Sequence, residues 1–169
     1  SLWVVGGLGE HFLAVILDKN LDEVARIAYS QGRENSFGSG SGVCFDSSGH
    51  AYVAGGEGVA KFTPSGELVA VNREYRGLVK IACMGDRVYA FGDRRVKGYR
   101  RHVLVVFDSD LNVVERRVLS KNTRRNAYFT WGKPAFDENT LYAAGWDEAG
   151  SEERIVVYAI QIASPGFQP

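Results

Sequence analysis

The chain has 169 residues, with 20 basic and 20 acidic side chains and a formal net charge of zero. Its length fits one domain with a real core, and its 45% apolar share is that of an ordinary globular protein. No run approaches the roughly 18 apolar residues of a membrane helix, and no basic stretch leads into an apolar one as in a signal peptide, so no membrane span is expected and a cytoplasmic location is slightly favoured.

In chain order, Leu2-Trp3-Val4-Val5-Gly6-Gly7 reads as a strand. Leu13-Ala14-Val15-Ile16-Leu17-Asp18 follows and ends in the polar turn Lys19-Asn20-Leu21. Asn20 to Ser30 has the nearest approach to a helical pattern, but its place in the series predicts an outer strand. Gly38 to Gly42 predicts a loop between units. Val43-Cys44-Phe45-Asp46-Ser47-Ser48-Gly49 then leads into Ala51-Tyr52-Val53-Ala54-Gly55-Gly56. Val59-Ala60-Lys61-Phe62 and the turn Pro64-Ser65-Gly66 follow.

The same succession returns twice. Ile81 to Asp86 precedes Val88-Tyr89-Ala90-Phe91-Gly92, and Val103 to Asp108 precedes the turn Ser109-Asp110-Leu111-Asn112. Pro134 to Asn139 precedes Leu141-Tyr142-Ala143-Ala144-Gly145, and Ile155 to Tyr158 closes the series. The anchors Trp3, Tyr52, Tyr89 and Tyr142 head four units, at approximately 1–38, 39–76, 77–122 and 123–169.

Each unit reads as strand, turn, strand, loop, strand, turn, strand. The turns carry Asp, Asn, Ser and Gly, whose side chains bond nearby backbone or which accept positive φ. A four-stranded antiparallel meander of about 40 residues is the sequence signature of a propeller blade. The predicted fold is therefore all-β, a β-propeller or propeller segment of about four antiparallel four-stranded blades. The first unit begins at its second strand and the last ends after its third, which predicts three, four, four and three strands. Such ends leave apolar faces and strand edges open. They predict self-association, a protein partner, or a longer chain that supplies the missing blades, with closure as an unusually small four-blade ring the less favoured case.

Gly42 to Val69 resembles a repeat of the NHL and SBBP type of β-propeller, in Gly42-Val43-Cys44-Phe45-Asp46-Ser47-Ser48-Gly49-His50-Ala51-Tyr52-Val53-Ala54-Gly55-Gly56 and Val59 to Leu68. The third unit lacks the Asp-x-x-Gly turn. The resemblance implies hairpin geometry and core packing, and it brings no catalytic residue. Such families include protein-binding modules, RNA binders, surface proteins and a few enzymes, so the fold leaves the function open.

The chemistry-bearing residues are sparse. Asp108-Ser109-Asp110-Leu111-Asn112 starts like a calcium loop, but Val113 stands where a glycine is needed and Leu119 where a bidentate Glu should be. A hairpin is expected instead. The stretches Gly6-Gly7-Leu8-Gly9 and Gly38 to Gly42 have neither a helix start nor a following Lys to hold phosphate. His11, His50 and His102 lack metal spacing, and Asp46, Asp137 and Asn139 fall at turns rather than at ligand positions. No metal, cofactor or catalytic residue is expected. Cys44 and Cys83, on corresponding strands, are expected to be two buried free thiols. The excess of 14 Arg over 6 Lys has a thermophilic character.

Charge is unevenly spread. Residues 94 to 125 carry ten basic and three acidic side chains, while both flanks are acidic. The candidate anion-binding residues are Arg94, Arg95, Lys97, Arg100, Arg101, Arg116, Arg117, Arg124 and Arg125, with Tyr99, Tyr128, Phe129 and Trp131 among them. Arg beside aromatics suits phosphate and base contact. A solvated face paired with acids of neighbouring units is the preferred alternative. The function expected is a non-enzymatic binding or scaffolding module. An anion- or RNA-binding propeller and part of a lactonase-like propeller hydrolase are the alternatives.

Overall fold

The computed structural model describes residues 1–8, 11–29, 40–96, 99–120, 126–129, 133–149 and 152–162. They form four antiparallel sheets in chain order and, among the described residues, no helix. The first sheet holds β1 (Leu2–Leu8), β2 (His11–Leu17) and β3 (Glu23–Tyr29). The second holds β4 (Gly40–Phe45), β5 (Ala51–Gly55), β6 (Gly58–Phe62) and β7 (Leu68–Asn72). The third holds β8 (Leu78–Met84), β9 (Arg87–Val96), β10 (Tyr99–Phe107) and β11 (Val113–Val118). The first three are plain meanders, and Asn20 to Ser30 supplies the outer strand β3 rather than a helix.

The fourth sheet departs from the expected three strands. It contains β12 (Asn126–Phe129), β13 (Ala135–Asp137), β14 (Thr140–Ala149) and β15 (Glu152–Gln161). Both β12 and β13 pair with β14, at Gly145–Glu148 and Thr140–Tyr142 respectively. They lie end to end along one edge while β15 covers the other. The first strand of this unit is thus split in two, and the sheet remains three strands wide.

Among the described residues one turn is built four times. Asp18, Asp46, Thr63 and Asp108 each donate their backbone N–H to the carbonyl four residues on and accept from the amide three residues on. The carboxylates of Asp18, Asp46 and Asp108 also accept from the amides two and four residues on. The residue that completes the turn adopts positive φ: Leu21 at 68°, Gly49 at 84°, Gly66 at 94° and Leu111 at 64°. This accounts for the Asp108 segment as a hairpin. A register shift before the turn recurs at Ile16/Leu17, Lys61/Phe62 and Val106/Phe107.

Alternation along each strand sends one set of side chains toward the preceding sheet and the other toward the following one. Trp3, Phe12, Ala14, Ile16 and Ile27 of the first sheet pack with Ala51, Val53, Ala60 and Phe62 of the second. Tyr52, Ala54 and Val59 pack with Ile81, Val88, Ala90, Val105 and Phe107 of the third. Ala82, Tyr89, Phe91, Leu104 and Val106 pack with Leu141, Ala143 and Ile160 of the fourth. Three apolar cores therefore lie between successive sheets.

The anchors all face forward. Trp3 meets Phe45 edge-on at 6.1 Å between ring centroids, and Tyr89 meets Phe136 in the same way at 5.9 Å. Phe45 and Phe136 sit at matching places on the first strands of their sheets, opposite Ala51 and Leu141. In the third sheet that place, opposite Val88, belongs to Cys83.

Cys83 is not a free thiol. Its sulfur is bonded to that of Cys44, joining the second sheet to the third across the middle core, and the expectation of two reduced cysteines is overturned. The cause is the turn. The hairpin from β4 to β5 runs through Asp46–His50, whereas that from β8 to β9 is the two-residue Gly85-Asp86. The odd difference in turn length reverses which face a first-strand residue presents. Cys44, opposite Tyr52, faces forward; Cys83, opposite Val88, faces back toward it.

Candidate functional site

Of the nine basic positions singled out by charge, the described side chains are Arg94, Arg100, Arg101, Arg116 and Arg117. Lys97, Arg124 and Arg125 lie outside the described residues; Arg95 lies on β9 opposite Arg100, its side chain outside them. The third sheet gathers part of the strip. Arg94 pairs in register with Arg101, and Arg116 with Val105, so the three share the face turned toward the second sheet.

Arg94 and Arg116 flank one ring. The guanidinium carbons lie 5.8 and 5.0 Å from the centroid of the buried Tyr75, on the connection between the second and third sheets. Together with Val103, Val105, Val118 and Arg117 they line an open groove of about 330 Å³. Its floor is apolar and its rim carries guanidinium groups, a combination that accepts an anionic group attached to an apolar body.

Acids answer several of these cations. Arg100 donates to Asp93 at 2.8 Å, Arg116 to Glu74 at 2.6 Å, and Arg117 to Glu115. The hydrogen bond that Arg117 donates to Glu115 raises its pKa above the ordinary value. Glu74 stands 42 residues before Arg116, and only the packing of the second sheet against the third brings it near. Exposed pairs of this kind contribute little to stability, but they reduce the field that the strip presents to a polyanion.

Polar groups inside the junctions have structural partners. The Lys61 ammonium donates to the Ser109 carbonyl at 2.9 Å, and the Tyr52 hydroxyl lies 3.0 Å from the same oxygen and 3.2 Å from the Asp46 carboxylate. Burial, then the negative charge of Asp46, raises the Tyr52 pKa well above its ordinary value. Lys80 donates to the Ala144 carbonyl of the fourth sheet at 3.1 Å, and burial lowers its pKa. His102 is buried with Nδ1 2.6 Å from the Tyr158 hydroxyl, whose pKa burial pushes up to about 12. Such groups register the sheets against one another.

His50 lies against Asp46 at 3.1 Å, and the His11 side chain lies outside the described residues. Among the described residues no three His, Cys, Asp or Glu side chains are grouped to hold a metal ion. Asp46 is committed to its turn. No described helix is long and apolar enough to cross a membrane.

No family model and no curated protein matches this chain. Among solved structures, the chain is similar to a protein of unknown function from Bacteroides caccae, at 12% identity and a TM-score of 0.42. The match covers 94% of this chain and 72% of that one.

Proposed function

We propose that this chain is a β-propeller or propeller segment of the type its second repeat resembles, and that it serves as a non-enzymatic binding or scaffolding module. The supporting observation is the recurrence of one sheet-to-sheet junction, in which Trp3, Tyr52 and Tyr89 in turn pack onto the next sheet. A stack of similar sheets offers rigid turns at both ends as a contact surface, which suits recognition more than chemistry. Small-angle scattering tests the arrangement: blades fanned about an axis give a curved wedge, or a disc where the ring is closed, and an extended particle refutes it. Elemental analysis with a panel of lactone and ester substrates tests the absence of catalysis. Stoichiometric metal with metal-dependent hydrolysis would replace this proposal with the propeller-hydrolase alternative.

A second reading, anion binding, is favoured by the groove at Tyr75, Arg94 and Arg116. A polyanion held there releases counterions, so retention on heparin must fall steeply with salt. Arg94→Ala with Arg116→Ala should abolish that retention. Retention that ignores salt or survives both changes leaves the strip as a paired, solvated face.

A further inference from the structure

The second sheet does not reach as far as the third. β5 and β6 have five residues each, whereas β9 and β10 have ten and nine. Just past β5, the Gly56 carbonyl accepts from the Gly77 amide. Gly77 in turn lies against Gly92 of β9, where an added Cβ would come within 2.1 Å of the Gly77 carbonyl oxygen. Arg94 is two residues beyond that crossing, on the same face of the third sheet. The connection that makes the crossing also carries Tyr75 and Glu74. The groove at Tyr75 is therefore made by the interior of the chain, where the third sheet projects past the second.

Two features select what it can hold. The first is charge. Arg94, Arg116 and Arg117 line the groove, and Arg116 is paired with Glu74 and Arg117 with Glu115. Arg94 is exposed and has the Tyr75 ring as its contact; among the described residues no acid pairs with it. One positive charge is left over, and a singly charged anion balances it. A phosphate monoester would bring about 1.5–2 negative charges. The second feature is size. About 330 Å³ lies at the small end of the range for ligand pockets and takes one compact molecule. Its apolar floor of Val103, Val105 and Val118 suits a hydrocarbon body. A polymeric anion would bring its next charges up to Glu74 and Glu115, which repel them.

We propose that the groove binds a small apolar carboxylic acid as its carboxylate. The carboxylate pairs with Arg94, and the apolar body lies on the three valines beside Tyr75. This rests on the anion-binding reading given above and narrows it to one singly charged, apolar molecule.

Titration calorimetry of the 169-residue chain with 4-phenylbutyrate tests it. One molecule should bind per chain. The neutral 4-phenylbutyramide keeps the body without the charge, and acetate keeps the charge without the body. Each should bind roughly tenfold more weakly or worse. Arg94→Met keeps an apolar stem beside Tyr75 and should weaken 4-phenylbutyrate by a similar factor, with native far-UV dichroism because Arg94 is exposed. Arg26→Met, at an exposed arginine of β3, should change nothing. Equal binding of the amide, indifference to Arg94→Met, or tighter binding of phenyl phosphate overturns the proposal. A peptide ending in a free phenylalanine that binds more than about tenfold tighter than 4-phenylbutyrate also overturns it, making a polypeptide terminus the occupant. Heparin separates the two readings. Salt-sensitive retention that is lost in Arg94→Met, without binding of 4-phenylbutyrate, leaves anion binding standing and removes the small acid. Failure of both heparin and 4-phenylbutyrate to bind removes the anion reading as well.

Discussion

Replacing Cys44 and Cys83 together with alanine removes a cross-link between residues 39 apart in sequence. In the chain-entropy description, a loop of that length restricts the unfolded chain by about 13 cal/mol/K, or about 4 kcal/mol at 25 °C. The native state keeps its middle core, because Tyr52, Val59, Ile81, Val88 and Phe107 pack there independently of the sulfurs. The loss should therefore come mainly from a more expanded unfolded state. Urea unfolding followed by tryptophan fluorescence should show a lower midpoint together with a steeper slope, since more surface is exposed on unfolding. Wild type unfolded in the presence of reductant should resemble the double variant, which separates loss of the cross-link from loss of sulfur packing. Two free thiols per denatured, unreduced chain would refute the bond. A change below about 1 kcal/mol with an unaltered slope would refute the entropic account.

Gly92→Ala should destabilise by about 1–3 kcal/mol or more by overpacking, because an added Cβ would lie 2.1 Å from the Gly77 carbonyl oxygen. Gly6→Ala, at the matching place in the first sheet where nothing lies within 4 Å, should be nearly neutral in the same denaturation assay. Leu21→Gly should stabilise by about 0.5–1 kcal/mol, since Leu21 is exposed at φ 68° and glycine relieves the left-handed conformation. Leu111→Gly should instead cost about 2–5 kcal/mol, because Leu111 fills the middle core. Burial alone would raise the Asp46 carboxyl, but the His50 amide, the Tyr52 hydroxyl, the His50 ring and the Ser48 amide outweigh it and hold the group below its ordinary 3.8. A depressed folded pKa gives stability that is present above the unfolded value and lost as pH falls through the folded one. Asp46→Asn keeps the turn's acceptor and should flatten this acid limb of urea stability; an unchanged limb would show that Asp46 contributes nothing to it.

The four-sheet, all-β organisation was legible because each anchor, each Asp-headed turn and each apolar strand recurs locally. The three strands of the first sheet were legible too: among the described residues β2 alone pairs with β1, and nothing lies within 4 Å of a Cβ placed on Gly6. Three features were not. The disulfide depends on whether the Gly85-Asp86 turn has odd or even length relative to Asp46–His50, and the missing Asp-x-x-Gly turn of the third unit was the only trace of that difference. The split of the first strand into β12 and β13 falls in a segment without a clean strand pattern. The neutralisation of Arg116 by Glu74 and the stacking of both Arg94 and Arg116 on Tyr75 need two sheets packed together, and a charge count along the chain cannot register them.

The bond between Cys44 and Cys83 occupies the middle of the three junctions, and this dictates how the molecule should come apart. In a linear array each element is held only by its neighbours, so opening begins at the ends. The first and fourth sheets can peel away singly, whereas the second and third must stay tethered. Amide exchange should therefore be fastest in β1–β3 and β12–β15 and slowest in β5, β6, β9 and β10. Reduction would let the two slow sheets exchange independently. The covalent link thereby divides a uniform array into a stable central pair and two sheets free to open and reclose on it.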